Sequence, residues 1–179
     1  MSSDTYEIHL SVNGTNVSAH VESRTLLVDF LRDIAGTKGV RLGCEEGACG
    51  ACSVHLNGEV VKSCLVLAVQ ANGANVTTVE GLAQQRSLNK LQEAFVSCHA
   101  LQCGYCTAGM LMSAQALLDR HNGEKLEDDD IRQALSGNYC RCTGYNNIIH
   151  AVKVAAGQAE PLTKGSLLEN DDESGWIGK

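Results

Sequence analysis

Eight of the nine cysteines in this 179-residue chain fall into two compact groups, and thiols gathered in fours constrain a fold more tightly than any hydrophobic pattern. The first group, Cys44, Cys49, Cys52 and Cys64, reads C-x4-C-x2-C-x11-C. Three ligands in one short loop with a fourth further on is the plant-type spacing for a [2Fe–2S] cluster. Gly43, Gly47 and Gly50 lie inside that loop. A loop wrapping a cluster must reach positive φ and bring backbone N–H groups close to sulfur, which glycine permits.

The second group, Cys103, Cys106, Cys140 and Cys142, reads C-x2-C-x33-C-x1-C and supplies four more thiolates. Its C-x-C pair around Arg141 is tighter than the C-x2-C turn from which zinc ligands usually chelate. Disulfides suit an exported chain, and the polar stretch Met1 to Glu7 offers no charged and apolar leader. Two metal centres are therefore expected, a zinc-stabilised interaction module being the weaker alternative.

The pattern around the cysteines divides the chain near Val79, with expected domains at 1–79 and 80–162 and an acidic tail at 163–179. The first part reads as strands. Ile8, Leu10 and Val12 alternate with polar residues, Asn13-Gly14 supplies a type I′ turn, and Val17, Ala19 and Val21 return. Thr25 is placed to cap a short helix carrying Leu26, Leu27, Phe30, Leu31 and Ile34, ended by Gly36. Val54 and Leu56, Asn57-Gly58 and Val60-Val61 make a second hairpin leading to Cys64, and Val76 to Val79 adds a strand. Two hairpins crossed by a helix fit a β-grasp ferredoxin.

Beyond Val79 the periods are helical. Leu88, Leu91, Phe95 and Val96 share one expected face, and Ala108, Leu111, Met112, Ala116 and Leu117 form a longer stripe starting at a Thr107 cap. Asn122-Gly123 breaks the chain, and helices around Asp129 to Leu135 and Tyr145 to Ala156 complete four. The fold class expected is α+β, a plant-type ferredoxin domain followed by a four-helix bundle. Cys103 and Cys106 precede one helix, and Cys140 and Cys142 precede another, so two positive helix ends would face an anionic cluster.

Three motifs carry a family resemblance. Gly43 to Cys52 reads GCEEGACGAC, Gln102 to Cys106 reads QCGYC, and Gly137 to Tyr145 reads GNYCRCTGY. Together they resemble the iron–sulfur subunit of molybdenum hydroxylases, the xanthine oxidase and aerobic carbon monoxide dehydrogenase family, over the chain to about Ala156. Ala108 stands where the family commonly has proline, and Tyr139 where it has an aliphatic residue. The resemblance implies two [2Fe–2S] clusters here, a large partner holding a molybdenum–pterin cofactor and a medium partner holding FAD, as a cytoplasmic dimer of heterotrimers. It also implies that the second-motif cluster lies nearer molybdenum, with Gln102 and Cys142 against the pterin, and that the first faces the flavin. The implied role is electron transfer; the alternative is a free-standing ferredoxin with a helical extension. Substrate identity stays open.

Bulk properties agree with a carrier. A formal charge of −7 argues against nucleic acid or an anionic membrane as partner, and no apolar run is long enough to span a bilayer. No dinucleotide fingerprint, phosphate loop or serine elbow appears, so substrate chemistry is expected elsewhere. Asp128, Asp129 and Asp130 read as acidic first-turn residues, the six histidines as surface or loop residues with His55 on a strand face, and Cys98 as a small buried hydrophobe. In the tail, Leu167, Leu168, Trp176 and Ile177 sit among Glu169, Asp171, Asp172 and Glu173, a mixture suited either to a solvated end or to a partner anchor.

Overall fold

The computed structural model describes residues 4–83, 87–121 and 123–162, so the tail and its Trp176 lie outside the described residues. Strands β1 (Thr5–Val12) and β2 (Thr15–Glu22) pair antiparallel, Val12 opposite Thr15 and Thr5 opposite Glu22. Asn13 and Gly14 take φ of 51° and 79°, the doubly left-handed turn that matches strand twist. β3 (Ser53–Leu56) and β4 (Glu59–Lys62) repeat the device through Asn57 and Gly58, at 52° and 89°. With β5 (Asn75–Thr77) they form one mixed sheet in the order β2-β1-β5-β3-β4, in which only β1 and β5 run parallel.

The sheet and its crossing helix enclose the first core, where Ile8, Leu10, Val54 and Val76 meet Leu27, Phe30 and Leu31. Helix α1 (Leu27–Asp29) continues as a wider π-helical stretch over Phe30–Ile34. The expected Thr25 cap is not used. Leu26 is tied to Leu67 by a β-bridge and Leu27 N–H donates to the Val66 carbonyl at 2.7 Å, which moves the helix start one residue on. Ile34 is exposed because it falls past the buried turn. The last strand is also shorter than expected: β5 stops at Thr77, and Val79–Leu82 is a 3-10 turn.

Four helices share the second core: α2 (Lys90–Ser97), α3 (Thr107–Arg120), α4 (Asp128–Ala134) and α5 (Asn146–Ala155). Asn89 and Gln92 close α2 with reciprocal side-chain to backbone bonds, both at 2.9 Å. The buried stripe of α2 is Leu91, Ala94, Phe95 and Cys98, an i, i+3, i+4, i+7 set, so Val96 and Leu88 face outward rather than joining it. Cys98 is fully buried there, as expected of a small hydrophobe. The acidic triplet Asp128 to Asp130 occupies the first turn of α4, with Asp130 accepting from Glu127 N–H and Asp128 paired to Lys153 of α5. Thr107 is the first residue of α3 and caps nothing: Cys106 holds the cap position, and the buried Thr107 hydroxyl has no hydrogen-bond partner.

α3 does more than fill the helical core, because it also packs on β3 and β4. His55 of β3 is buried, not surface, and its Nε2 lies 2.8 Å from the Met112 carbonyl of α3. The same helix brings Gly109 against the cysteine loop so closely that a Cβ there would stand 2.0 Å from the Gly50 carbonyl oxygen.

Candidate metal centres

The first site is made by the irregular loop after α1 and the turn after β4. Gly47 and Gly50 take φ of 79° and 72°, as a tight wrap requires. Gly43 does not; it serves clearance instead, since a Cβ there would lie 3.0 Å from Cys49 Sγ. Inside the loop, Cys49 N–H donates to Cys44 Sγ at 3.3 Å. That amide, with Glu46 N–H next in weight, lowers the Cys44 thiol to about 7 against the opposing effect of burial. These two amides thus favour the anionic form of Cys44. Cys52 and Cys64 are the buried members, and burial, then the neighbouring Cys52, pushes the Cys64 thiol up to about 11. Ser63, which carries no sequence signal of its own, fixes their separation by donating both its hydroxyl (2.7 Å) and its amide (3.2 Å) to the Cys52 carbonyl.

The second site joins the N-terminal ends of two helices. Cys106 is the cap of α3, and Cys140 and Cys142 precede α5, whose own cap Tyr145 sits at φ of 71°. The Tyr145 hydroxyl accepts from Cys140 N–H at 2.8 Å and donates to the Asn138 carbonyl at 3.2 Å, which folds the C-x-C loop back over the helix end. Burial pushes the Cys106 thiol up to about 12, with Cys140 adding to it. Burial most strongly opposes ionisation of Cys140, but the Thr143 hydroxyl (3.1 Å) and amide (3.4 Å), joined by the Cys142 amide and the Cys106 thiol, together outweigh it and lower that thiol. Cys103 and Cys142 are exposed, with sulfurs 3.6 Å apart, and Cys103 raises the Cys142 thiol. Gln102 donates its amide to the Cys142 carbonyl at 2.9 Å, so the two residues expected at a pterin contact are joined to each other at the surface.

The thiols gather in twos. Cys44 lies with Cys49, Cys52 with Cys64, Cys103 with Cys142 and Cys106 with Cys140. Among the described residues no three His, Cys, Asp or Glu side chains converge as a single ion would need. A zinc site asks for three or four ligands around one point. A two-iron cluster asks for two thiolates on each iron, and two pairs per site fit that demand.

Between the sites runs a seam that spacing did not reveal. Tyr139 N–H donates to the Cys49 carbonyl at 2.9 Å, linking a first-site cysteine to the residue next to Cys140. Asn138, only 2% exposed, accepts from the Ser113 hydroxyl at 2.7 Å and donates to the Gly50 carbonyl at 3.0 Å. The Tyr105 hydroxyl, from the second-site loop, donates to the Leu42 carbonyl of the first at 2.6 Å. Lys62 Nζ donates to Ser53 Oγ at 3.0 Å and to the Gly137 carbonyl at 2.9 Å. Burial pushes the Lys62 ammonium below its ordinary value, while the negative charge of the first-site thiols, Cys52 foremost, works the other way. Asn138 and Gly137 stand in a motif that sequence reading singled out; Lys62, Ser53 and Ser113 do not.

Two family profiles match, a 2Fe-2S iron-sulfur cluster binding domain over residues 10–83 and a [2Fe-2S] binding domain over 78–153. The chain is 50% identical over 155 residues to caffeine dehydrogenase subunit gamma of Pseudomonas sp. (strain CBB1), covering 86% of this chain and 92% of that one. It is 49% identical to the nicotine 6-hydroxylase small subunit of Paenarthrobacter nicotinovorans, covering 87% and 93%. Among solved structures, quinoline 2-oxidoreductase from Pseudomonas putida 86 superposes with a TM-score of 0.81 at 45% identity, covering 87% of this chain and 96% of the matched one. No helix among the described residues is long and apolar enough to cross a membrane.

Proposed function

This chain belongs to the small iron–sulfur subunits of molybdenum hydroxylases, and from that membership we propose how its own residues serve electron transfer between a molybdenum–pterin subunit and an FAD subunit. The observation that carries the reading is the arrangement of eight thiols as two sets of two pairs, one hydrogen bond apart through Tyr139 N–H and the Cys49 carbonyl. Each [2Fe–2S] cluster, when bound, takes up and gives up one electron at a time.

Cys44 with Cys49 and Cys52 with Cys64 would hold the two irons of the first cluster, and Cys103 with Cys142 and Cys106 with Cys140 those of the second. The exposed pair Cys103 and Cys142, with Gln102 fastened to the Cys142 carbonyl, faces the pterin of the large subunit. The first site faces the flavin, and Leu65, exposed and packed over Gly47 beside Cys64, belongs to that contact. Residues 1–79 form a β-grasp ferredoxin unit and 80–162 a four-helix bundle, working in a cytoplasmic dimer of heterotrimers. Substrate choice belongs to the large subunit.

The test is to compare the purified chain with the complete complex. The chain alone accepts and donates electrons with chemical mediators and oxidises no substrate; the complex turns over. Substrate-dependent reduction of the lone chain, with no pterin present, overturns the reading.

A further inference from the structure

Lys62 is a half-buried ammonium in an unusual setting. Its two fixed partners, Ser53 Oγ and the Gly137 carbonyl, are neutral oxygens, and among the described residues no carboxylate pairs with it. A cation withdrawn from water without an anion is costly, so such a residue is retained where an anion belongs. Lys62 stands two residues before Cys64 in the chain, and the hydroxyl it holds at 3.0 Å belongs to the residue that follows Cys52. It is rigidly aimed as well, because Ser53 directly follows Cys52 and Gly137 leads into the second-site loop.

Resting on the reading of both sites as [2Fe–2S] centres, we infer that Lys62 is the resident counter-charge of the first cluster and makes that cluster easier to reduce than it would otherwise be. A thiolate-ligated cluster is net negative and gains one further unit of negative charge with each electron, so a fixed cation beside it stabilises the reduced form. When one electron passes from the second cluster, which is oxidised, to the first, which is reduced, the charge lands beside Lys62. No proton or ligand moves. The lysine thereby favours the direction that leads toward the flavin.

The rival is a purely structural clasp joining β4 to the Gly137 loop. Redox titration of the assembled complex, followed by electron paramagnetic resonance, separates the two, with Lys62→Met, Lys62→Gln and Lys62→Arg compared to wild type. Iron content and two reduced-state signals in the wild type come first; their absence defeats the cluster reading itself and not the role of Lys62. The signal lost in Cys49→Ser identifies the first cluster. In Lys62→Met the reduction equilibrium of that cluster falls tenfold or more, about 60 mV for a one-electron couple, while the other cluster moves less than half as far and Lys62→Arg stays within about twofold of wild type. If both neutral variants fail to hold the first cluster and Lys62→Arg holds it, the counter-charge is again supported. The inference is overturned if Lys62→Met leaves the first cluster within twofold, if methionine and arginine shift it equally, if the larger shift falls on the other signal, or if all three variants lose the cluster.

Discussion

Removing the Asn138 side chain tests whether the seam between the two sites is held by hydrogen bonds. Asn138→Ala deletes one bond to the Gly50 carbonyl, worth about 1 kcal/mol net. Gly50 keeps other partners, since Ser53 donates to the same oxygen from its amide at 3.1 Å and its hydroxyl at 2.8 Å. Ser113 does not: its buried hydroxyl donates to Asn138 Oδ1 and loses its acceptor, a further cost of about 1–3 kcal/mol. The sum is roughly 2–4 kcal/mol, which for a chain of this size lowers the melting midpoint by roughly 4–16 °C. Melting of the cluster-loaded chain, followed by circular dichroism and visible absorbance, measures it. Ser113→Ala removes the stranded donor, so the double variant costs less than the sum of the singles by about 1–2 kcal/mol. A single-variant loss below about 0.5 kcal/mol, or strict additivity of the pair, refutes the account of the seam.

Other outcomes follow from the paired thiols. Elemental analysis of fully loaded protein finds two [2Fe–2S] clusters' worth of iron per chain and no stoichiometric zinc; zinc at either site contradicts the assignment. Cys49→Ser loses the first cluster's resonance signal and keeps the second's, Cys106→Ser does the reverse, and the fully buried Cys98, replaced by serine, loses neither signal. Gln102→Ala leaves iron content normal and slows reduction of the second cluster by substrate in the complex, as its proposed place against the pterin requires; stopped-flow traces identical to wild type restrict Gln102 to its 2.9 Å bond to the Cys142 carbonyl.

What could be read from the sequence was local. The grouping of thiols follows spacing, because short intervals leave a loop few ways to arrange its sulfurs. Both hairpins follow from Asn-Gly pairs, whose left-handed turns suit strand twist whatever lies around them. Signals failed where distant residues intervened. Thr25 gives way as a cap because Leu26 and Leu27 are held by Val66 and Leu67, some forty positions on. Val96 looked like core by composition, yet the buried stripe of α2 runs through Leu91, Ala94, Phe95 and Cys98, and Val96 falls outside that i, i+3, i+4, i+7 set. His55 and Lys62 are ordinary strand residues until α3 and the Gly137 loop close over them. The four-helix pattern was legible as helices, but not that α3 would serve as a wall between the sheet and the other three.

That wall explains the choice of residues along the seam. Two loops that bind clusters could be joined by apolar side chains, as most domain contacts are, but side chains would hold the backbones apart. Here glycines do the joining: Gly50 and Gly109 leave no room for a Cβ, which would stand 2.3 Å from the Gly137 carbonyl in one case and 2.0 Å from the Gly50 carbonyl in the other. Backbone therefore meets backbone, and the Tyr139 amide reaches the Cys49 carbonyl directly. Contact that close exposes carbonyl oxygens to each other in a partly dry space, which is unfavourable unless donors are supplied. Asn138, Ser53 and Lys62 supply them, the first two as neutral groups and the third as a charge. A neutral donor could also have met the Gly137 carbonyl, with a weaker bond. Placing an ammonium there instead answers a second need, that of the negative charge which arrives at the first site with each electron.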